Sequence, residues 1–489
     1  MVPTATQIHF LLLSLLVTMA VLSTTTSSTV EAIAPTTTTH RVAVVGGGIT
    51  GACVASTLAT LSNDASSSGV VFEIHVFDQG RSGVGGRTSH RIQTTTPATT
   101  AATATAAATN DEHLLRWDHG CQFFRADTPL FRELVQNSWI SEKKIAAKWE
   151  GTFVGETGGR DFFGLPSQPP FYVGTNGIKS IAHSLLHDDS NNGCITVHEG
   201  RRVANMVRDD ETNKWTLVGT SGEAAFHDSS EAVAKAAGNP HILGSNYNAV
   251  VMTDVSSSFD AWHRASAGLP TSFSERVRKR AGSRVPLFTC MIAFEQDVPV
   301  NVSAATLNDP TLWFASRTKS KPGLGDAATL DCWTLVSTPE YAMQAITETP
   351  MQDPNTGAFI PQPPEYLTTV PGPQLEAAFR KIVEEGRLGE IDADMPKTAF
   401  LNAQRWGSAL PANRHLDETS STRQVISGVA YDSGAAPLSP TTKSGSGRSF
   451  VADEEQMLFQ AGDMVATCYT PGFEGAALSG MEAAAHIHD

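Results

Sequence analysis

The sequence predicts an α/β protein with a parallel sheet, and three observations predict it. A β-branched run at residues 41–45 ends in Gly46-Gly47-Gly48 and is followed over 49–61 by small and apolar residues, the pattern of strand, tight turn and closely packed helix. A second apolar run over 70–78 (VVFEIHVFD) completes a strand–helix–strand unit across a serine-rich linker at 62–68. From Val285 onward, LFTCMIAFE, LWFA and CWTLVS read as further short strands, so the middle of the chain forms a second, mixed block.

Each remaining element follows in turn. Residues 94–109 are nearly pure Thr and Ala, with no pattern that buries a face, and read as a surface insertion in a hairpin. Asp127-Thr128-Pro129 is a helix start with proline in the first turn. Ile178, Ile181, Ala182, Leu185 and Leu186 keep helical spacing behind a cap at Thr175 or Asn176. A charged turn at 209–213 joins two strand-like runs, and 248–253 is a buried strand. Leu375, Ala378, Phe379, Ile382 and Val383 lie on one helical face. The strand at 458–460 leads into Gly462-Asp463, and 475–486 is an Ala-rich helix.

Composition narrows the function classes. The 489 residues are 40% hydrophobic and 17% charged, enough to bury large cores and too apolar for a disordered chain. A formal net charge of −15 repels a phosphate backbone, which argues against nucleic-acid binding. The 6 cysteines are far apart with no CxxC and no HExxH, so no metal site is signalled and one or two disulfides stay open. Residues 10–22 are an uncharged apolar run of signal-peptide length, with Ala32-x-Ala34 beyond it, so residues 1–34 are expected to be a secretory signal. No later run is long enough for a membrane span, and Asn301-Val-Ser303 is a glycosylation sequon on such a route. The expected destination is the secretory pathway or the exterior, with a signal-led route into a plastid as the variant.

The chemistry-bearing residues cluster near the first strand. Gly46-x-Gly48-x-x-Gly51 follows a strand and opens a helix, where glycines let a backbone approach a pyrophosphate at the positive helix end. Asp78 closes the next strand and offers a carboxylate to a ribose diol. Gly85-Gly86-Arg87, with Arg81 before it, adds a second glycine turn and two guanidinium groups suited to phosphate.

The runs VAVVGGGITGACVASTLA, VFDQGRSGVGGRTSHR and RWDHGCQFFRA, with AGDMVATCYTPGFEGAALSGMEAA near the end, resemble the flavin amine oxidase superfamily and most closely its renalase-like branch. Looser matches (YVGTNGIKSIAHSL, RRVANMV, CMIAFE, WFASRTKSKPG, WTLVSTPEYA, QRWGSALP) extend the resemblance from Arg41 to His486. It implies a Rossmann-like, glutathione-reductase-type FAD-binding domain with an inserted mixed-sheet α+β substrate domain. On that layout the FAD-binding parts are 40–126, 175–284 and 451–489, and the substrate-domain parts are 127–174 and 285–450. The resemblance places Gly46, Gly48, Gly51 and Arg87 at the FAD pyrophosphate, where the residues themselves also put Arg81 and Gly86, and Asp78 at the adenosine ribose. It places Gly120, Gln122 and Phe123 beside the flavin ring, Val203 at adenine, and Asp463 at the ribityl chain or pyrophosphate. Gly475, Ala476 and Ala477 would open a helix toward the flavin N1 and O2 edge. Tyr469 and His119 are the catalytic candidates; in the amine oxidases proper a lysine reaches a water near flavin N5, and Lys319 and Lys321 lie in the WFASRTKSKPG segment with neither assigned to that place. The implied activity is hydride transfer from a small reduced substrate, such as a misreduced dihydronicotinamide isomer, to FAD, with dioxygen as acceptor. An amine oxidase or desaturase of the same superfamily shares every cofactor motif, and a secreted binding protein retaining the fold is the alternative outside enzymes.

Overall fold

The computed structural model describes residues 38–63, 69–80, 83–95, 113–156, 170–221, 241–259, 269–282, 284–325, 330–350, 360, 362–411, 423–426, 429–432, 448–466, 468–469 and 472–489. The expected signal at 1–34, most of the insertion at 94–109, part of the serine linker and Arg81 lie outside them.

Five parallel strands carry the first half of the architecture. They are β1 (Thr38–Val45), β2 (Val70–Asp78), β3 (Ile195–Glu199), β4 (Ala249–Met252) and β5 (Leu458–Gln460), in the spatial order β5-β4-β1-β2-β3. Val451–Asp453 adds an antiparallel edge beside β5. Because side chains alternate along a strand, this sheet buries both faces. Val42, Val44, Ile74 and Val76 pack under helix α1 (Ile49–Asn63), the helix Lys179–Leu186 and the last helix α2 (Phe473–His488). Ala43, Phe77, Val250 and Met252 point the other way, into a core shared with an antiparallel meander (Arg201–Asp209, Lys214–Ser221, His241–Tyr247) and the helix Thr271–Ala281. The near-continuous apolar run of β2 is the signature of such a doubly covered strand.

A second six-stranded sheet has the order Thr398–Pro411, Arg284–Phe294, Asp331–Ser337, Leu312–Arg317, Ala304–Thr306, Phe153–Gly155. Its pairs are antiparallel except the last, which is parallel. Phe288, Cys290, Ile292 and Phe294 face the helices Pro339–Glu348 and Pro371–Glu384, the latter presenting Leu375, Phe379, Ile382 and Val383. Met291 and Ala293 face Leu115 and Trp117 of the strand His113–Asp118, and the Trp117 indole donates to the Ile292 carbonyl at 3.1 Å. That strand pairs antiparallel with His90–Thr95, so the two described strands flank the insertion as a hairpin.

One local reading differs from the structure. The N-cap position of the helix Lys179–Leu186 is Ile178, which has no capping side chain of its own, and neither Thr175 nor Asn176 fills that role. Asp118 Oδ1 accepts instead from the Ile178 amide at 2.9 Å, so the cap comes from a strand 60 residues earlier. None of the six cysteines is in a disulfide, and three of them, Cys53, Cys290 and Cys332, are buried as small apolar groups. At Thr128 the expected helix start is present: its side chain accepts from the Phe131 amide, and the helix Pro129–Glu133 runs on into a π-helical segment, Leu134–Glu142. Among the described residues no helix is long and apolar enough to cross a membrane.

A side chain at Gly51 would place its Cβ 2.0 Å from the Gly46 carbonyl oxygen, which fixes how closely α1 seats on the end of β1. Gly51→Ala is expected to cost about 1–3 kcal/mol or more, because the contact is with backbone that has nowhere to retreat. Urea denaturation of the full chain checks this; a midpoint equal to the parent's would show that α1 shifts freely.

Candidate cofactor site

The carboxyl ends of β1, β2, β4 and β5 converge on one edge of the parallel sheet, the place where open α/β sheets bind ligands. Main-chain bonds knit that edge: Gly46 donates to the Phe77 carbonyl at 2.8 Å, Thr253 to Val45 at 3.0 Å, and Ala461 to Met252 at 2.9 Å. Gly46 has a φ of +110°, and a Cβ there would meet Thr253 Oγ1 at 2.1 Å, so the turn admits only glycine. Gly48 faces the second glycine turn, where its Cβ would lie 3.3 Å from the Gly85 carbonyl oxygen. Gly85 donates to Gly47 at 3.0 Å, and Gly86 opens the short turn Gly86–Thr88. The result is a surface of bare backbone at the start of α1, whose first amides have no carbonyl one turn back and whose dipole favours an anion.

Asp78 is 6% exposed and its two carboxylate oxygens accept from the Gly47 and Gly80 amides, each at 2.7 Å. Burial raises its pKa above the ordinary carboxylate range, against the opposing pull of those two amides. In this arrangement the carboxylate clamps the glycine turn.

Arg87 and Asp463, assigned separately on the sequence, are paired with each other. Arg87 Nη1 donates to Asp463 Oδ2 at 2.8 Å, Nη2 donates to Oδ1, and Nη1 also reaches the Ala409 carbonyl at 3.1 Å. Asp463 is delivered by the bend after β5, where the Gly462 amide donates to Ser479 Oγ of α2 at 2.9 Å. Gly120 closes against the same arginine: a Cβ there would lie 2.2 Å from the Arg87 carbonyl oxygen, and the Cys121 amide donates to that oxygen at 2.7 Å.

The other predicted residues take these places. Gln122 is buried, and its amide nitrogen donates to the carbonyls of Asp118 and Gly120. Phe123 packs edge-on to Phe171 at 4.8 Å and beside Phe314 at 6.2 Å. The first turn of α2 buries Gly475, Ala476 and Ala477 behind Gly472, which has a φ of +104° and supplies no capping side chain. Val203 pairs with Gly219 in the meander, its side chain in the core with Ala43 and Phe77. The Tyr469 hydroxyl donates to Glu482 of α2, with burial pushing its pKa up. His119 is 5% exposed, its carbonyl accepts from the Trp406 indole at 3.0 Å, and its Nδ1 has no hydrogen-bond partner among the described residues. Burial, helped by Arg91, lowers its pKa to about 3. Gly46, Gly48, Gly51, Asp78, Gly86, Arg87, Gly120 and Asp463 thus join in one contact network; the contacts of Tyr469 and Val203 described above lie outside it.

Two functional candidates escaped the sequence reading. Glu474, in the first turn of α2, accepts from the amides of Asp127 and Thr128 at 2.7 and 2.8 Å and anchors that helix end. Asp118 forms a buried ion pair with Lys321 at 3.1 Å across 203 residues. An acid just before the 119–123 stretch was the available signal, but nothing local names its partner. Lys319 reaches Asp297, an exposed residue, instead.

No family model matches the chain. Among solved structures it is similar to the Diels-Alderase PyrE3 of pyrroindomycin biosynthesis (12% identity, 91% of this chain and 66% of that one, TM-score 0.40). It is also similar to an oxidoreductase from Methanosarcina mazei (11% identity, 90% and 99%, TM-score 0.40). A third is CmlS, a flavin-dependent halogenase (14% identity, 92% and 58%, TM-score 0.40). The chain spans about two thirds of the first of these and little more than half of the third. All are distant likenesses.

The His119 ring gives a pH prediction. The unfolded chain takes up its proton below an ordinary value of 6.5, whereas the folded chain does so only near 3, so stability falls as pH drops through that window. His119 contributes at most about 1.4 kcal/mol per pH unit to that fall. His119→Gln is expected to shallow the slope between pH 6.5 and 4, read from urea midpoints; identical slopes in the two proteins would show that the ring is not held neutral.

Proposed function

We propose that the protein is an FAD-dependent oxidoreductase of the renalase-like kind, acting on a small reduced substrate with dioxygen as the final acceptor. The observation that carries this reading is the pair of glycine turns in backbone contact at the start of α1, on the carboxyl edge of the parallel sheet. Two glycine turns without side chains, facing a helix dipole, suit a pyrophosphate. The residues present fit such a group: Gly48 and Gly86 keep side chains off the turn, Gly46 and Gly51 let α1 seat closely on β1, and Arg87, paired with Asp463, lies at the same edge.

On this reading Asp463 and Arg87 hold the middle of the cofactor together, Val203 offers backbone groups to adenine, and Asp78 fixes the glycine turn next to the ribose. Gly475, Ala476 and Ala477 border the ring, where a helix start stabilises negative charge. When bound, the flavin supplies a two-electron acceptor that dioxygen can regenerate. The chain's own work is to bind and orient, to exclude water and to stabilise charge. His119, kept neutral by burial, presents a lone pair or an N–H rather than a cation to whatever lies beside it. The second sheet, with Phe123, Phe171 and Phe314 in one apolar cluster beside Trp149, is assigned to the substrate. A substrate that gives up hydride directly, as a dihydronicotinamide isomer does, needs no strong protein base. The protein is assigned to the secretory pathway on the apolar run at residues 10–22.

The test is the visible spectrum of the purified chain and the identity of the pigment released by heat. The expected result is bound FAD that bleaches anaerobically with dihydronicotinamide isomers and recolours in air; bleaching by amines alone would move the substrate assignment to an amine oxidase. Gly48→Val is expected to fold yet lose FAD by about 100-fold or more in affinity, roughly 2.7 kcal/mol. A folded, colourless parent that takes up no FAD would sink the proposal and favour a binding protein.

A further inference from the structure

Lys321 is 3% exposed, and all the polar contacts shown for its ammonium point at one stretch of chain. Its Nζ donates to Asp118 Oδ2 at 3.1 Å and to Gln122 Oε1 at 3.2 Å, and it lies 5.3 Å from the Trp149 ring centroid. Asp118 is 1% exposed; its other carboxylate oxygen caps the helix Lys179–Leu186 through Ile178, and its carbonyl accepts from Thr334 Oγ1 at 3.2 Å. Gln122 Oε1 takes a second donor, Ser316 Oγ at 2.8 Å, while the Gln122 amide nitrogen turns back to the carbonyls of Asp118 and Gly120. Lys321, Ser316 and Thr334 belong to the second sheet and its connections; Gly120 and Cys121 lie against the Arg87 carbonyl at the edge of the parallel sheet.

From this chain of contacts we infer that Lys321 is a positioning residue for the cofactor site, fixing the 118–123 segment through Asp118 and Gln122. The inference rests on the FAD reading above and deepens it by assigning the lysine a place. An ammonium in a closed pair cannot leave it without stranding a carboxylate in the interior, so it serves as a fixed strut and not as a mobile base. Gly120 then keeps its register against Arg87, and Arg87 keeps its grip on Asp463. Gln122 closes the 118–122 turn on itself, which is why one cation holds five residues.

A charge-removal cycle tests this on the full chain. Lys321→Gln and Asp118→Asn are each expected to weaken FAD binding by roughly 30-fold and to alter the visible band shape of the flavin that remains, since each leaves the other partner's charge buried without its counter-charge. The double variant Asp118→Asn/Lys321→Gln replaces the ion pair with amides that can repeat its hydrogen bonds, and is expected to recover affinity and band shape to within about 3-fold of the parent. Three results would overturn the inference. Single variants with lowered melting temperature but parental affinity and spectrum would make the pair a stability element only. A double variant that regains stability but not affinity would mean that the lysine charge itself acts on the cofactor. A parent that binds no FAD would remove the cofactor reading and this inference with it, a pattern distinct from the other two.

Discussion

Close approach of backbone to backbone at the carboxyl edge of the parallel sheet is the constraint on which the rest depends. Three contacts define it: Gly51 on Gly46, Gly48 on Gly85, and Gly120 on Arg87, each too tight or too nearly so for a side chain. Short contacts of this kind are rigid because a main chain, unlike a side chain, has no rotamer to change. They bring amides from two turns and a helix start to one place, with the Asp78 carboxylate clamping the first turn. The chemistry follows from that bareness: Asp78 takes the Gly47 amide, and the amides at the start of α1 with the helix dipole favour a further anion.

Charge is used in the opposite manner, by enclosure. Asp78 is taken up by two amides, Asp463 by Arg87, Glu474 by the amides of Asp127 and Thr128, and Asp118 by Lys321 and Ile178. Each buried carboxylate therefore ties two segments distant in sequence, and the cost of stranding it keeps those segments together. The net charge of −15 belongs to the whole chain, but at the site edge the acids are answered one by one. Such closed pairs add specificity of arrangement more than net stability, because their desolvation offsets much of their attraction.

The two sheets meet the site in different ways. The parallel sheet offers strand ends, where the chain must turn and glycine can be placed. The antiparallel sheet offers a face: Met291 and Ala293 pack on the hairpin strand His113–Asp118, and that strand's end carries the 118–123 segment inward. Trp117 locks the strand by its bond to Ile292, so the placement of His119 and Gly120 depends on a strand, Arg284–Phe294, that starts more than 160 residues later.

What the amino-acid sequence determined by itself is whatever local periodicity and turn chemistry encode. The strand, glycine turn and helix from Arg41 onward, the doubly apolar β2, the Thr128-Pro129 helix start, the hairpin around 209–213 and the one-faced helix at 375–383 were legible because alternation, helical spacing and capping act over a few residues. The glycines of the site were legible for the same reason. Tertiary structure alone decided the partners: that Arg87 holds Asp463, that Asp118 and not Thr175 or Asn176 caps the helix Lys179–Leu186, that Tyr469 turns to Glu482, and that Lys321 rather than Lys319 is buried. An ion pair or a distant cap has no period, and its energy depends on burial and geometry that exist only after the sheets have packed.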